Sequence, residues 1–165
     1  KLIVGDNSCL GSNACKNFAS MGQYTVNIGS SSCDGDSACH SLGSCAHGVF
    51  VGDYTCHESQ SCELLGAGND SCPRGADNED QFAVTLGSGS CNGVQACISL
   101  GRSVGEYLTV EFNSCNGHSA CYYAGDLARE SVAIASGVCN SDAVPDAEQE
   151  CYGCAMGVSS VDLVL

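Results

Sequence analysis

Cysteine is the residue type here with the most chemical capacity, fifteen of them in 165 residues, and their spacing narrows what that chemistry is. Cys9 and Cys15, Cys33 and Cys39, Cys56 and Cys62, Cys91 and Cys97, and Cys115 and Cys121 are each six positions apart. Zinc sites draw instead on closer pairs, with four ligands converging on one ion. Only Cys151 and Cys154 are that close, and they stand alone, so no metal site is expected. A pair repeated at regular intervals reads as one disulfide per repeat: the five pairs above and, at a longer separation, Cys139 with Cys151. Cys45 and Cys72 fall outside the pattern and are read as a seventh bridge; spacing restricts connectivity without fixing it. Cys154 is then left over. Two readings fit it, a buried thiol acting as a small hydrophobe and an intermolecular bridge.

The remaining reactive side chains do not converge. His40, His47, His57 and His118 occupy unlike positions relative to the cysteines. Gly117-His118-Ser119-Ala120-Cys121 is superficially like a nucleophile elbow but lacks its closing glycine and a strand-to-helix context. The chain is therefore read as non-enzymatic and without a cofactor. Acidic groups gather in two segments that break the spacing. One, near 68–81, holds Cys72-Pro73, Arg74 and Asp77, Glu79 and Asp80; the other, near 140–150, holds Asp142, Pro145, Asp146, Glu148 and Glu150. These carboxylates are the candidate partner-binding residues. Neither segment matches an EF-hand or a glycine-aspartate nonapeptide. Asn69-Asp70-Ser71 is an N-glycosylation sequon inside the first insertion, which makes Asn69 a candidate acceptor. Tyr107, Tyr122 and Tyr123 are the one aromatic cluster.

The elements that position these residues follow from internal repetition. The first cysteines of successive pairs recur every 23 or 24 residues, with one longer step between Cys56 and Cys91. Ahead of them run Leu2-Ile3-Val4, Val26-Asn27-Ile28, Val49-Phe50-Val51, Val84-Thr85-Leu86, Leu108-Thr109-Val110 and Val132-Ala133-Ile134. Outer positions are apolar and mainly β-branched, and the middle one varies, which is the signature of a strand with one buried face. Turn residues follow, as in Asn92-Gly93 and Asn116-Gly117. Phe18, Leu42, Leu65, Leu100 and Ala124 make a further apolar column, with glycine after most of them. One repeat cannot bury its apolar face alone, whereas stacked repeats can. The expected fold is all-β: a right-handed parallel β-solenoid of about six coils, roughly 29 Å long at ~4.8 Å per coil. It forms a single domain over 1–165 with surface insertions near 68–81 and 140–150. The segment from Val158 to Leu165 is expected to add a last strand over the final coil.

Composition sets the surroundings. Cysteine at about 9% of the residues marks a disulfide scaffold, and such scaffolds persist in oxidising compartments. A secreted or extracellular location fits, as does an oxidising organelle lumen, the thylakoid lumen among them. The chain opens on Lys1-Leu2-Ile3-Val4 with no signal-peptide pattern and reads as a processed product. No apolar run reaches the ~18 residues of a membrane span. With five basic and 19 acidic residues and a net charge of -14, the field opposes phosphate backbones and excludes nucleic acid as a natural partner.

Ser90-Cys91-Asn92-Gly93-Val94-Gln95-Ala96-Cys97 returns as Ser114-Cys115-Asn116-Gly117-His118-Ser119-Ala120-Cys121 and as Ser32-Cys33-Asp34-Gly35-Asp36-Ser37-Ala38-Cys39. This unit resembles the cysteine-rich "SCNGxxAC" repeat proteins of algae with secondary plastids and their relatives. The resemblance covers nearly the whole chain and carries no function with it. The coil plan is also similar to the hyperactive antifreeze solenoids of insects, which stack short bridged coils behind a flat threonine array; this chain lacks such a ladder. The expected function is a structural or protein-interaction subunit, a rigid acidic scaffold whose partner is a protein with a basic surface. The alternative is a ligand-binding module for carbohydrate, ice or calcium.

Overall fold

A computed structural model of the chain describes residues 1–18, 25–43, 46, 48–66, 83–101, 107–122, 124, 131–140 and 160–163. Alternating apolar residues form seven short strands: β1 (Leu2–Val4), β2 (Thr25–Ile28), β3 (Gly48–Val51), β4 (Ala83–Leu86), β5 (Tyr107–Val110), β6 (Ser131–Ile134) and β7 (Ser160–Leu163). They build one parallel sheet in chain order, and the described residues contain no helix. The fold is a parallel β-solenoid.

The register reproduces the sequence columns. Leu2, Val26, Val49, Val84, Leu108, Val132 and Val161 are mutual neighbours, as are Val4, Ile28, Val51, Leu86, Val110, Ile134 and Leu163. From β2 to β6 both columns are buried, while the residue between them faces outward. In β1 the same columns are exposed, Leu2 at 68% and Val4 at 46%. Each rung thus owes its burial to the rungs on either side. The expected count of about six coils differs slightly from the seven-rung sheet, because β7 adds a rung where a last strand was anticipated.

Stacking extends beyond the strands. The N–H of Cys33, Cys56 and Cys91 donates to the carbonyl of Thr55, Ser90 and Ser114 in the following coil, at 2.9, 3.1 and 2.9 Å. The N–H of Cys39, Cys62, Cys97 and Cys121 donates backward to Ala14, Ala38, Ser61 and Ala96, at 2.7–2.8 Å. Backbone groups on both arms of each coil are therefore paired with the neighbours. The corners that bring them into line are left-handed. Asn7, Ser31, Tyr54, Gly89, Asn113 and Gly137 form one positive-φ column; the first cysteines of the six pairs form another; Asn13, Ser37, Gln60, Gln95 and Ser119 form a third. Asn and Ser tolerate this region better than most residues. For Tyr54 (φ 54°) and Leu64 (φ 55°) it costs about 1–2 kcal/mol each, which the interlocked stack sustains.

Behind the sheet, the second wall of the core is Leu42, Leu65, Leu100 and Ala124, all fully buried. Between the walls run the bridges Cys9–Cys15, Cys33–Cys39, Cys56–Cys62, Cys91–Cys97 and Cys115–Cys121, with Cα–Cα distances of 5.5–5.7 Å. Cys139 is also disulfide-bonded; its expected partner Cys151 lies outside the described residues, as do Cys45, Cys72 and Cys154. Cysteines from the second to the fifth bridge have no exposure, so the disulfides serve as core filling as well as crosslinks. Such bridging is compatible with an oxidising environment.

Candidate functional site

Three polar features run along the stack, and each grows out of one column of the repeat. The first lies just before the leading cysteine. Ser32, Thr55, Ser90 and Ser114 are fully buried. Ser8, Ser32, Thr55 and Ser114 donate their hydroxyls to the carbonyl oxygens of Gly29, Gly52, Gly87 and Ala135 in the next coil, at 2.7, 2.7, 3.0 and 2.6 Å. Ser90 makes the equivalent bond to Glu111. These carbonyls stand just past the strand ends, where the backbone leaves the ladder, so a buried hydroxyl supplies the partner the sheet no longer does. In the sixth coil the position is Val138, which packs against the core instead.

The second column follows the leading cysteine. Asn92, Asn116 and Asn140 accept, on Oδ1, the N–H of His57, Asn92 and Asn116 at 3.1, 3.0 and 3.2 Å. Nδ2 of Asn92 donates to the Tyr54 carbonyl, and that of Asn140 to the Asn113 carbonyl, both at 2.8 Å. Asn140, expected at the start of the second insertion, thus takes a regular place in this column. His57 and Asp34 occupy this column too and pair at 3.3 Å, while His40 pairs with Glu63 across one rung at 3.3 Å. His40 and His57 thus each face a neighbouring carboxylate, His118 is exposed, and His47 lies outside the described residues. Ser119, in the elbow-like stretch, has φ 54° and belongs to a stacked turn, not to a strand-to-helix elbow.

The third feature is the outward face of the sheet. It presents Thr25 and Asn27 on β2, Gly48 and Phe50 on β3, Ala83 and Thr85 on β4, Tyr107 and Thr109 on β5, and Ser131 and Ala133 on β6. None of these side chains is charged, in a chain of net charge -14. Asp162 holds the β7 position in register with Ala133, and the other described carboxylates lie on the arms. Asp36 accepts the Ser12 N–H at 2.9 Å, Asp53 the Ser30 N–H at 2.7 Å, and Glu111 the Ser136 hydroxyl at 2.8 Å. Gly48, Ala83 and Tyr107 share one column of the face, and Phe50 is next to it. A Cβ on Gly48 would sit 3.3 Å from Cε2 of Phe50, so the Phe50 ring leans over that glycine and into the Tyr107 column. Phe50 is 43% exposed and Tyr107 56%.

Asp77, Glu79, Asp80, Asp142, Asp146, Glu148, Glu150 and Asn69 lie outside the described residues. So does Tyr123, and Tyr122 is only partly exposed; the aromatic pair on the strand face is Phe50 with Tyr107. Cys115, Cys121 and Cys139 bring their sulfurs within 4.8 Å of one another, the one metal-like cluster among the described residues. All three are in disulfides and offer no thiolate to an ion. Among the described residues no helix is long and apolar enough to cross a membrane.

These features define a class, the disulfide-stapled parallel β-solenoids, here with a buried hydroxyl ladder and a more exposed amide ladder. No protein-family profile, curated protein or solved structure matches the chain.

Proposed function

We propose that the protein is a non-enzymatic scaffold, a rigid acidic subunit of an assembly outside the cell or in an oxidising lumen such as that of the thylakoid. The observation that carries this reading is the unbroken register: every rung from β1 to β7 pairs in place, and five successive coils are each bridged. A stack fixed at this many points holds its surface groups at set positions, which is what a scaffold contributes to its partners. The segments near 68–81 and following Asn140 to 150 lengthen the repeat, and both add negative charge. The partner is a protein surface bearing Lys or Arg, engaged through these loops.

Charged contacts of this kind steer association and weaken as the Debye length falls from ~10 Å at 0.1 M to ~3 Å at 1 M salt. The test uses two variants, one replacing Asp77, Glu79 and Asp80 by their amides and one doing the same for Asp142, Asp146, Glu148 and Glu150. Assembly with the native complex should weaken in at least one of them and lose its salt dependence. Parent-like assembly by both variants at low and high salt would overturn the reading.

A further inference from the structure

We propose that the outward strand face is a binding site for a neutral, extended polysaccharide strand, seated along the Phe50–Ala83–Tyr107 line. This goes beyond the scaffold reading, which concerns the acidic loops. The face carries no charge from β2 to β6, so neither a basic protein surface nor an anionic polymer finds its complement there. What it offers is two exposed rings and a set of hydroxyls. Aromatic faces take the apolar faces of sugar rings, while polar groups beside them fix orientation. Phe50 leans over Gly48 into the Tyr107 column, and only the small Ala83 stands between the two rings. The rings are thus two rungs apart, about 9.6 Å, on a straight line with a shallow gap. That layout suits a ribbon whose alternate sugars present the same face. Thr85 and Thr109 run alongside as hydroxyl partners.

Size selects the occupant. Four residues across and five rungs long from β2 to β6, the uncharged face covers roughly 13 by 19 Å, about 250 Å² for one partner. A stable protein–protein interface needs about 800 Å² on each side. The strip is too narrow for a lasting pair of sheets and wide enough for a single glycan chain.

The experiment measures retention of the oxidised protein on microcrystalline cellulose, xylan, chitin and insoluble β-1,3-glucan. Retention is expected on at least one of them and is equal at low and high salt, because no charge takes part. Phe50→Ala and Tyr107→Ala should each weaken it about tenfold or more. Phe112→Ala removes an aromatic that is 59% exposed but off this face, and it should leave retention unchanged. Ala83→Arg keeps both rings and fills the gap, and it should also weaken retention. Circular dichroism and non-reducing peptide maps check each variant's fold, and if a ring variant misfolds, Ala83→Arg decides. The proposal is overturned by retention on none of the four, by retention that persists in the Phe50→Ala/Tyr107→Ala protein, or by retention that salt abolishes. The acidic-loop variants run in parallel: loss of native assembly with retention intact bears on those loops alone.

Discussion

The hydroxyl of Thr55 is fully buried and lies 3.0 Å from the Gly87 carbonyl oxygen of the next coil and 3.1 Å from that of Asp53. Its oxygen belongs to a column in which Ser32, Ser90 and Ser114 play the same part. Removing the hydroxyl while keeping the shape leaves a buried carbonyl without its donor. Thr55→Val should therefore lower stability by about 1–3 kcal/mol. Thr55→Ser, which restores the residue its neighbours use, should cost less. Denaturant titration with the bridges intact measures both; equal midpoints for the parent and Thr55→Val would show that the ladder adds nothing. The column was visible in the sequence only as a serine before cysteine. Ser in a turn ordinarily faces water, and nothing in its spacing says that it turns inward.

At the scale of the element, the strands were fully legible and the turns only in part. Period-two apolar residues repeated at a constant interval fix both the buried face and the register, since a slip by one residue would expose every core side chain. The turns obey a different constraint, close approach of backbone to backbone. A Cβ on Gly93 would stand 2.3 Å from the Gly117 carbonyl oxygen in the next coil, and neither strand of backbone can yield without breaking its stacking bonds. Gly93→Ala should cost at the upper end of the ~1–3 kcal/mol typical of overpacking, with a matching loss in the unfolding midpoint. A parent-like midpoint would mean that the coils are more loosely stacked than their backbone bonds require. The aromatic line on the outward face was not legible, because Phe50 and Tyr107 belong to different columns and meet only through the direction of the Phe50 ring.

Across the whole molecule, the solenoid is protected unevenly. Cys9 and Cys15 in the first coil are partly exposed, while both sulfurs of the next four bridges are buried. Thiol–disulfide exchange requires access to a sulfur. Limited treatment with a dithiol should open Cys9–Cys15 ahead of Cys33–Cys39, Cys56–Cys62, Cys91–Cys97 and Cys115–Cys121. Differential alkylation with peptide mass analysis reads the order, and simultaneous opening of all five would show that the stack unfolds as one unit before it is reduced. Each bridge closes a short loop, so losing one should cost near the low end of ~2–5 kcal/mol. Sequence spacing indicated these bridges because a short interval repeated coil after coil leaves little choice of partner. It could not indicate which of these five bridges is reachable, since exposure depends on what stacks against each rung.

The asparagine column also bears on how long such a molecule lasts. An Asn followed by Gly is the sequence most prone to chemical ageing, in which the glycine nitrogen closes on the side-chain carbonyl and ammonia departs. Asn92-Gly93 and Asn116-Gly117 both have that sequence, yet the Asn92 amide is tied to His57 and Tyr54 and the Asn116 carbonyl to Asn92. Ring closure would have to break these ties between coils, so the stack that gives the rod its order also slows its clock, and a coil that loosens begins to age.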